Sequence, residues 1–218
     1  METLEERPTA DIPGPFDRRS LNLPNLITLS RFGLSLVLFV LMDYSTRSPQ
    51  NAGWWRTAAF VFVLAAFTDF LDGYIARRFG QVTTLGRILD PFVDKIIICG
   101  AFIFLLGREE ESGISRWTTF IVVAREMFIT TLRAFLEQQG RDFSAQWAGK
   151  IKMILQCLAV PLCLLSLSPD FHEWTDTHMG FDRFLKLRDI TIWVMVAATI
   201  YSGIEYTWHA FRILSLKR

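Results

Sequence analysis

Residues 68–95 read TDFLDGYIARRFGQVTTLGRILDPFVDK. They join two long apolar runs, Trp54 to Arg77 and Gly86 to Leu106, each near the length of about twenty residues that a helix needs to cross a bilayer. Four carboxylates, Asp69, Asp72, Asp90 and Asp94, stand in these runs where lipid-facing residues are expected. An acid in hydrocarbon is costly, so its presence there points to function. Asp69 and Asp72 are three positions apart and Asp90 and Asp94 four, so each pair shares one helical face. The short polar turn between the runs predicts an antiparallel hairpin. At a rise of about 1.5 Å per residue, Asp69 and Asp94 each lie about 12 Å from the turn and therefore level with each other. Gly73 and Gly86 remove side chains from the same faces and let the backbones or a ligand come close.

Four ionised carboxylates meeting in a low dielectric repel one another, and persist only if protonated, hydrated or neutralised by cations. One or two divalent ions would neutralise them. A set of oxygen ligands without Cys or His favours Mg²⁺ or Mn²⁺, which retain water and bridge phosphates. The competing reading is a polar cluster that only pins two helices together. Four acids at matched depth favour the metal.

Outward from this hairpin, the 218-residue chain is 51% hydrophobic, and its apolar residues fall into six stretches. They run from Pro24 to Tyr44, Trp54 to Arg77, Gly86 to Leu106, Trp117 to Leu136, Trp147 to Leu167 and Ile190 to Phe211. In lipid each backbone polar group needs a partner within its own segment, so these are helices, and the runs are too uniformly apolar for barrel strands. The expected fold is all-α: a polytopic membrane protein of six transmembrane helices over residues 21–218, preceded by a polar, acidic extension over residues 1–20. Lys and Arg are more numerous on the side that holds both termini, which places the termini and the aspartate turn in the cytoplasm. Tryptophans 54, 55, 117, 147 and 174 lie near run ends, as interfacial anchors do. The outer connection from Pro169 to Asp189 reads either as a short helix on the membrane surface or as a solvated loop.

A net charge of +1 gives no basic surface for nucleic acid. Cys99, Cys157 and Cys163 sit singly in apolar runs and read as small hydrophobes. The acidic start lacks the form of a cleavable signal peptide. No Walker loop is present, since Ser144 stands where its first glycine is required before Gly149-Lys150. His172, His178 and His209 are scattered and form no HxK arrangement.

Asp69, Asp72-Gly73, Ala76-Arg77, Gly86, Asp90 and Asp94, at their spacing, match all eight fixed positions of a signature, and the chain resembles the CDP-alcohol phosphatidyltransferases. The resemblance implies a six-helix membrane fold, usually a homodimer, whose site opens to the cytoplasmic leaflet. It implies that Asp69, Asp72, Asp90 and Asp94 bind the metals, that the CDP-lipid is received by Asp69, Asp72, Gly73, Ala76, Arg77 and Gly86, and that Asp94 is the base toward the acceptor hydroxyl. The stretches LNLPNLITLSR, AREMFITTLRAF and AGKIKM are similar to bacterial members that transfer a phosphatidyl group from CDP-diacylglycerol to glycerol 3-phosphate. Val93 and Met153 depart from the family's usual Ala and Thr.

An acceptor that carries a phosphate needs cations. Arg31 in the first run, Arg125 and Arg133 eight apart in the fourth, and Lys150 and Lys152 at the start of the fifth are the candidates. Each is also open to a simpler reading as charge balance for the aspartates or as a side chain snorkelling to headgroups. Glu126 reads as charge balance beside Arg125. Pro91 between Asp90 and Asp94 deletes a backbone donor, which either frees a carbonyl for a ligand or merely bends the helix. Family members with phosphatidylglycerol, inositol phosphate or serine as acceptor remain alternatives. A cation transporter is a remote one, since the acids keep to one half of the membrane and no repeat is visible.

Overall fold

The computed structural model describes residues 23–47, 52–79, 84–140 and 147–215, with the side chains of residues 23–25, 27, 69–79 and 84–91 left aside. Among the described residues every regular element is helical. Six long helices, α1 (Leu23–Arg47), α2 (Trp54–Phe79), α3 (Thr84–Leu105), α5 (Arg116–Gln138), α6 (Trp147–Ser166) and α8 (Phe181–Ser215), coincide with the six apolar stretches. Two short ones stand in the connections between long helices, α4 (Glu109–Ser112), which follows a 3₁₀ turn at Leu106–Arg108, and α7 (Pro169–His178).

Local chemistry sets the breaks. Gly113, at φ 75°, ends α4 in the left-handed conformation that a Cβ disfavours. Two residues on, the Ser115 hydroxyl accepts the Thr118 backbone N–H at 3.1 Å and caps α5. Pro169 opens α7, where its missing N–H costs nothing. Helix α3 runs unbroken through Pro91, and α6 through Pro161.

Helix α1 packs on α2 and α3, α2 on α6, α6 on α8, α8 on α5, and α5 back on α3, so the six long helices close a ring, with α3 and α6 also touching across it. At the end of the ring that carries α4 and α7, the core is apolar, built of Leu38 and Met42 from α1, Trp55 and Phe62 from α2, Phe102 and Leu105 from α3, and Leu164 from α6. Ala58, Ala59 and Ala65 give α2 a face of small side chains in that core. At Gly100 a Cβ would stand 2.2 Å from Phe39 Cζ, so this glycine is what lets the Phe39 ring, stacked on Phe104 at 5.0 Å, lie across α3.

The outward surface is apolar as well. Phe60, Phe67, Phe120, Met127, Trp193, Ile204, Trp208 and Phe211 are each at least 60% exposed, far more apolar area than a water-facing surface carries. Thr28–Arg47, Trp147–Ser166 and Phe181–Ser215 are long and apolar enough to cross a membrane. The chain therefore has the character of an integral membrane protein.

The structure differs from the sequence reading at the outer connection. Residues 181–189, expected outside the last run, are the first turns of α8. Phe184 is buried, and so is Arg188, whose guanidinium donates to the Glu111 carbonyl at 2.6 Å and the Ser166 hydroxyl at 3.1 Å and pairs with Asp189 at 2.7 Å. A charged residue that looked like loop is thus the tie between α8, α4 and α6.

Candidate active site

The half of the ring away from α4 and α7 is polar among the described residues. Asp94 of α3 faces Arg31 of α1 and accepts a hydrogen bond from its Nη2 through Oδ1, with the arginine side chain 3% exposed and the aspartate 32%. One turn of chemistry further round, Glu126 of α5 is buried under three cations. Its Oε2 accepts from Lys95 Nζ at 2.6 Å, and its Oε1 accepts from Lys152 Nζ and from Arg125 Nη1, the latter at 3.2 Å. A buried carboxylate is tolerated only when so compensated, and the three partners come from α3, α5 and α6, so the network also ties those helices together.

Between these groups lies a cavity of about 280 Å³. Among the described residues Lys95, Arg125, Arg133, Lys150 and Lys152 line it together with two acids, Asp94 and Glu126. Five cations thus stand against two carboxylates, an excess of positive charge that attracts anions. Lys150 Nζ sits 4.8 Å from the centre of the Trp147 ring. The Nε atoms of Arg125 and Arg133 are buried and have no hydrogen-bond partner among the described residues, and neither has Gln156 Nε2 on the same wall.

Of the cations expected to meet an acceptor phosphate, the structure brings Arg125, Arg133, Lys150 and Lys152 to this one cavity and sets Arg31 on Asp94 at its edge. Lys152 is engaged by Glu126. Glu126 balances charge, as its neighbour Arg125 implied. Asp69, Asp72, Gly73, Ala76 and Arg77 belong to α2, and Gly86 and Asp90 to α3, but their side chains lie outside the described residues. Sequence reasoning missed Lys95, although it directly follows Asp94, and Tyr206 of α8, which lines the cavity from a helix without any signature.

The family model for CDP-alcohol phosphatidyltransferase matches residues 21–201. The chain belongs to this family. Among its CDP-alcohol phosphatidyltransferase relatives are three named CDP-diacylglycerol–glycerol-3-phosphate 3-phosphatidyltransferase. The one from Bacillus subtilis is 32% identical over 206 residues, covering 88% of this chain and 97% of the relative. That from Pseudomonas fluorescens is 35% identical over 183 residues (81% and 87%), and that from Rickettsia felis 30% identical over 185 (85% and 93%). The match to the CDP-alcohol phosphatidyltransferase model takes in α1 to α7 and α8 as far as residue 201, so it includes the aspartate signature and the basic residues of the cavity but not Tyr206.

Proposed function

We propose that this chain transfers the phosphatidyl group of CDP-diacylglycerol to a hydroxyl of glycerol 3-phosphate, giving phosphatidylglycerophosphate and CMP in phospholipid biosynthesis. The observation that carries the acceptor assignment is the cavity beside Asp94, whose five basic side chains suit a small dianion better than a neutral alcohol. The names of relatives that align over most of their length agree with it.

In this reading residues 21–218 form a catalytic unit of six transmembrane helices in a bacterial-type inner membrane, with the 1–20 extension, both termini and the site on the cytoplasmic side and with a homodimer as the assembly. Among the described residues α1, α6 and α8 hold segments long and apolar enough to span. Surrounding membrane lipid takes the acyl chains.

Asp69, Asp72, Asp90 and Asp94 would hold Mg²⁺ or Mn²⁺, two ions for four acids. The donor set fits, because it is all oxygen and falls at i, i+3 and i, i+4 on two helices. When bound, the ions supply electrostatic stabilisation to the diphosphate and to departing CMP. Gly73, Ala76, Arg77 and Gly86 would receive the CDP-lipid. Arg125 and Arg133 hold the acceptor phosphate, Lys150 and Lys152 add positive field, and Arg31 orients Asp94 through Oδ1. The acceptor oxygen attacks the lipid-bearing phosphorus, its proton passes to the Asp94 carboxylate, and the bond from that phosphorus to CMP breaks with the electron pair leaving on CMP.

The test is CMP release by the purified full chain in detergent micelles with CDP-diacylglycerol and Mg²⁺ or Mn²⁺, with glycerol 3-phosphate, phosphatidylglycerol, inositol phosphate and serine offered separately. Glycerol 3-phosphate should stimulate release most, and chelation by EDTA should stop it until either ion is restored. If another acceptor is preferred, the assignment within the family is wrong. Ion flux into liposomes that survives Asp94→Asn, with no CMP released, would favour transport.

A further inference from the structure

Tyr206 of α8 is 2% exposed, and both acceptor-side arginines gather on its ring. The guanidinium carbon of Arg125 lies 5.5 Å from the ring centre and that of Arg133 5.9 Å. Both arginines come from α5, eight residues apart, so one aromatic side chain from a different helix spans two turns of the cavity wall. Position 149 on α6 is open for it: a Cβ there would stand 2.8 Å from the Tyr206 hydroxyl and 3.2 Å from Cε2, so only glycine leaves the ring in place.

Two guanidinium groups side by side repel, and in a poorly solvated wall each needs a counter-charge. A carboxylate supplies one but consumes N–H donors, as Glu126 does with Lys152 and with Arg125 Nη1. An aromatic ring attracts a cation through its electron-rich face and leaves the in-plane N–H groups unused. Arg125 spends one donor, Nη1, on Glu126 at 3.2 Å, while Nε of both arginines is buried without a hydrogen-bond partner among the described residues. An arginine prepared in this way can take a phosphate through paired N–H donors.

We infer that Tyr206 is a positioning residue for the acceptor: its ring holds Arg125 and Arg133 on the cavity wall with their donors open to a phosphate dianion. This rests on the reading of the cavity as the acceptor site. It makes specificity for a phosphorylated acceptor depend on a side chain that touches neither metal nor nucleotide.

The experiment uses the full chain in detergent micelles with CDP-diacylglycerol and Mn²⁺, and reads KM for glycerol 3-phosphate and for CDP-diacylglycerol separately from kcat. Tyr206→Leu should raise KM for glycerol 3-phosphate about tenfold, the weight of one desolvated cation–π contact, and leave KM for CDP-diacylglycerol within about twofold. Tyr206→Phe, which keeps the ring, should restore the wild-type value. Mono-, di- and trifluorinated phenylalanine at position 206 weakens the ring's attraction with little change of shape, so KM for glycerol 3-phosphate should climb with each fluorine; this series decides the matter even if the leucine variant fails to fold. A flat series, or equal rises in both KM values, overturns the role of Tyr206. Arg125→Gln and Arg133→Gln form the separate arm: if neither raises KM for glycerol 3-phosphate, the acceptor site lies elsewhere, whereas a rise in these together with a flat fluorine series refutes the inference about Tyr206 alone.

Discussion

Glu126 and Lys152 form a buried ion pair between α5 and α6, with side chains 1% and 5% exposed. Neither charge has access to bulk solvent, so each depends on the other for compensation. Removing Lys152 alone leaves Glu126 with Lys95 and Arg125. Removing Glu126 leaves three cations facing one another. Glu126→Gln should therefore destabilise more than Lys152→Met, by about 3 kcal/mol or more, the scale of a broken buried pair. The double variant should cost less than the sum of the two. Thermal inactivation midpoints of the four proteins in the same micelles check this, and additive effects would show that the pair is not coupled.

The Arg31–Asp94 pair joins the first helix to the end of the signature, and it predicts different kinetic consequences for its two members. Asp94→Asn removes the proton acceptor and should lower kcat about 10²- to 10⁴-fold. Arg31→Met leaves the carboxylate in place but without its orienting partner, so the loss should be smaller. If Arg31 instead met the acceptor phosphate directly, its substitution would raise KM for glycerol 3-phosphate and spare kcat. CMP release at saturating CDP-diacylglycerol, with the acceptor varied, separates the two roles.

The aspartate signature was legible because acids at helical spacing stand out against an apolar background, and it falls inside the stretch that the family model matches. The six long helices were legible for the same reason, from the length of their uninterrupted apolar runs. Glu126 was seen as a balancing charge, but its second and third partners were not, because Lys95 and Lys152 lie 31 and 26 residues away and only the packing of α3 and α6 on α5 brings them to it. Tyr206 gave no signal at all. A tyrosine in an apolar helix is ordinary, and its meaning depends on two arginines from another helix and on the missing side chain at Gly149. The start of α8 was misplaced because burial of Arg188 depends on a backbone carbonyl, which has no signature in sequence.

Arg188 accordingly predicts a stability effect at the outer end of the ring. Its guanidinium satisfies the Glu111 carbonyl and the Ser166 hydroxyl at once, and a lysine has no planar fork with which to reach both. Arg188→Lys should lower stability by about 1–3 kcal/mol, the cost of leaving a buried acceptor unpaired, and should leave KM for both substrates unchanged. A shift in either KM would mean that the outer clamp is felt at the inner site.

Gly100 and Phe39 supply a prediction with its own rescue. A methyl group at position 100 would overlap the Phe39 ring, with Cζ at 2.2 Å and Cε1 at 2.6 Å. Phe39 is half-buried, so the ring can swing outward, but it then gives up its stack on Phe104. Gly100→Ala should therefore destabilise by about 1–3 kcal/mol, as overpacking does, despite the better helix propensity of alanine. Phe39→Leu removes the overlapping atoms and should recover part of the loss when combined with Gly100→Ala, although by itself it weakens the packing of α1 on α3. Thermal inactivation of the two single variants and the double variant decides the point. A neutral Gly100→Ala would mean that α1 and α3 are free to separate at this level, and the close approach would then be no constraint on the ring.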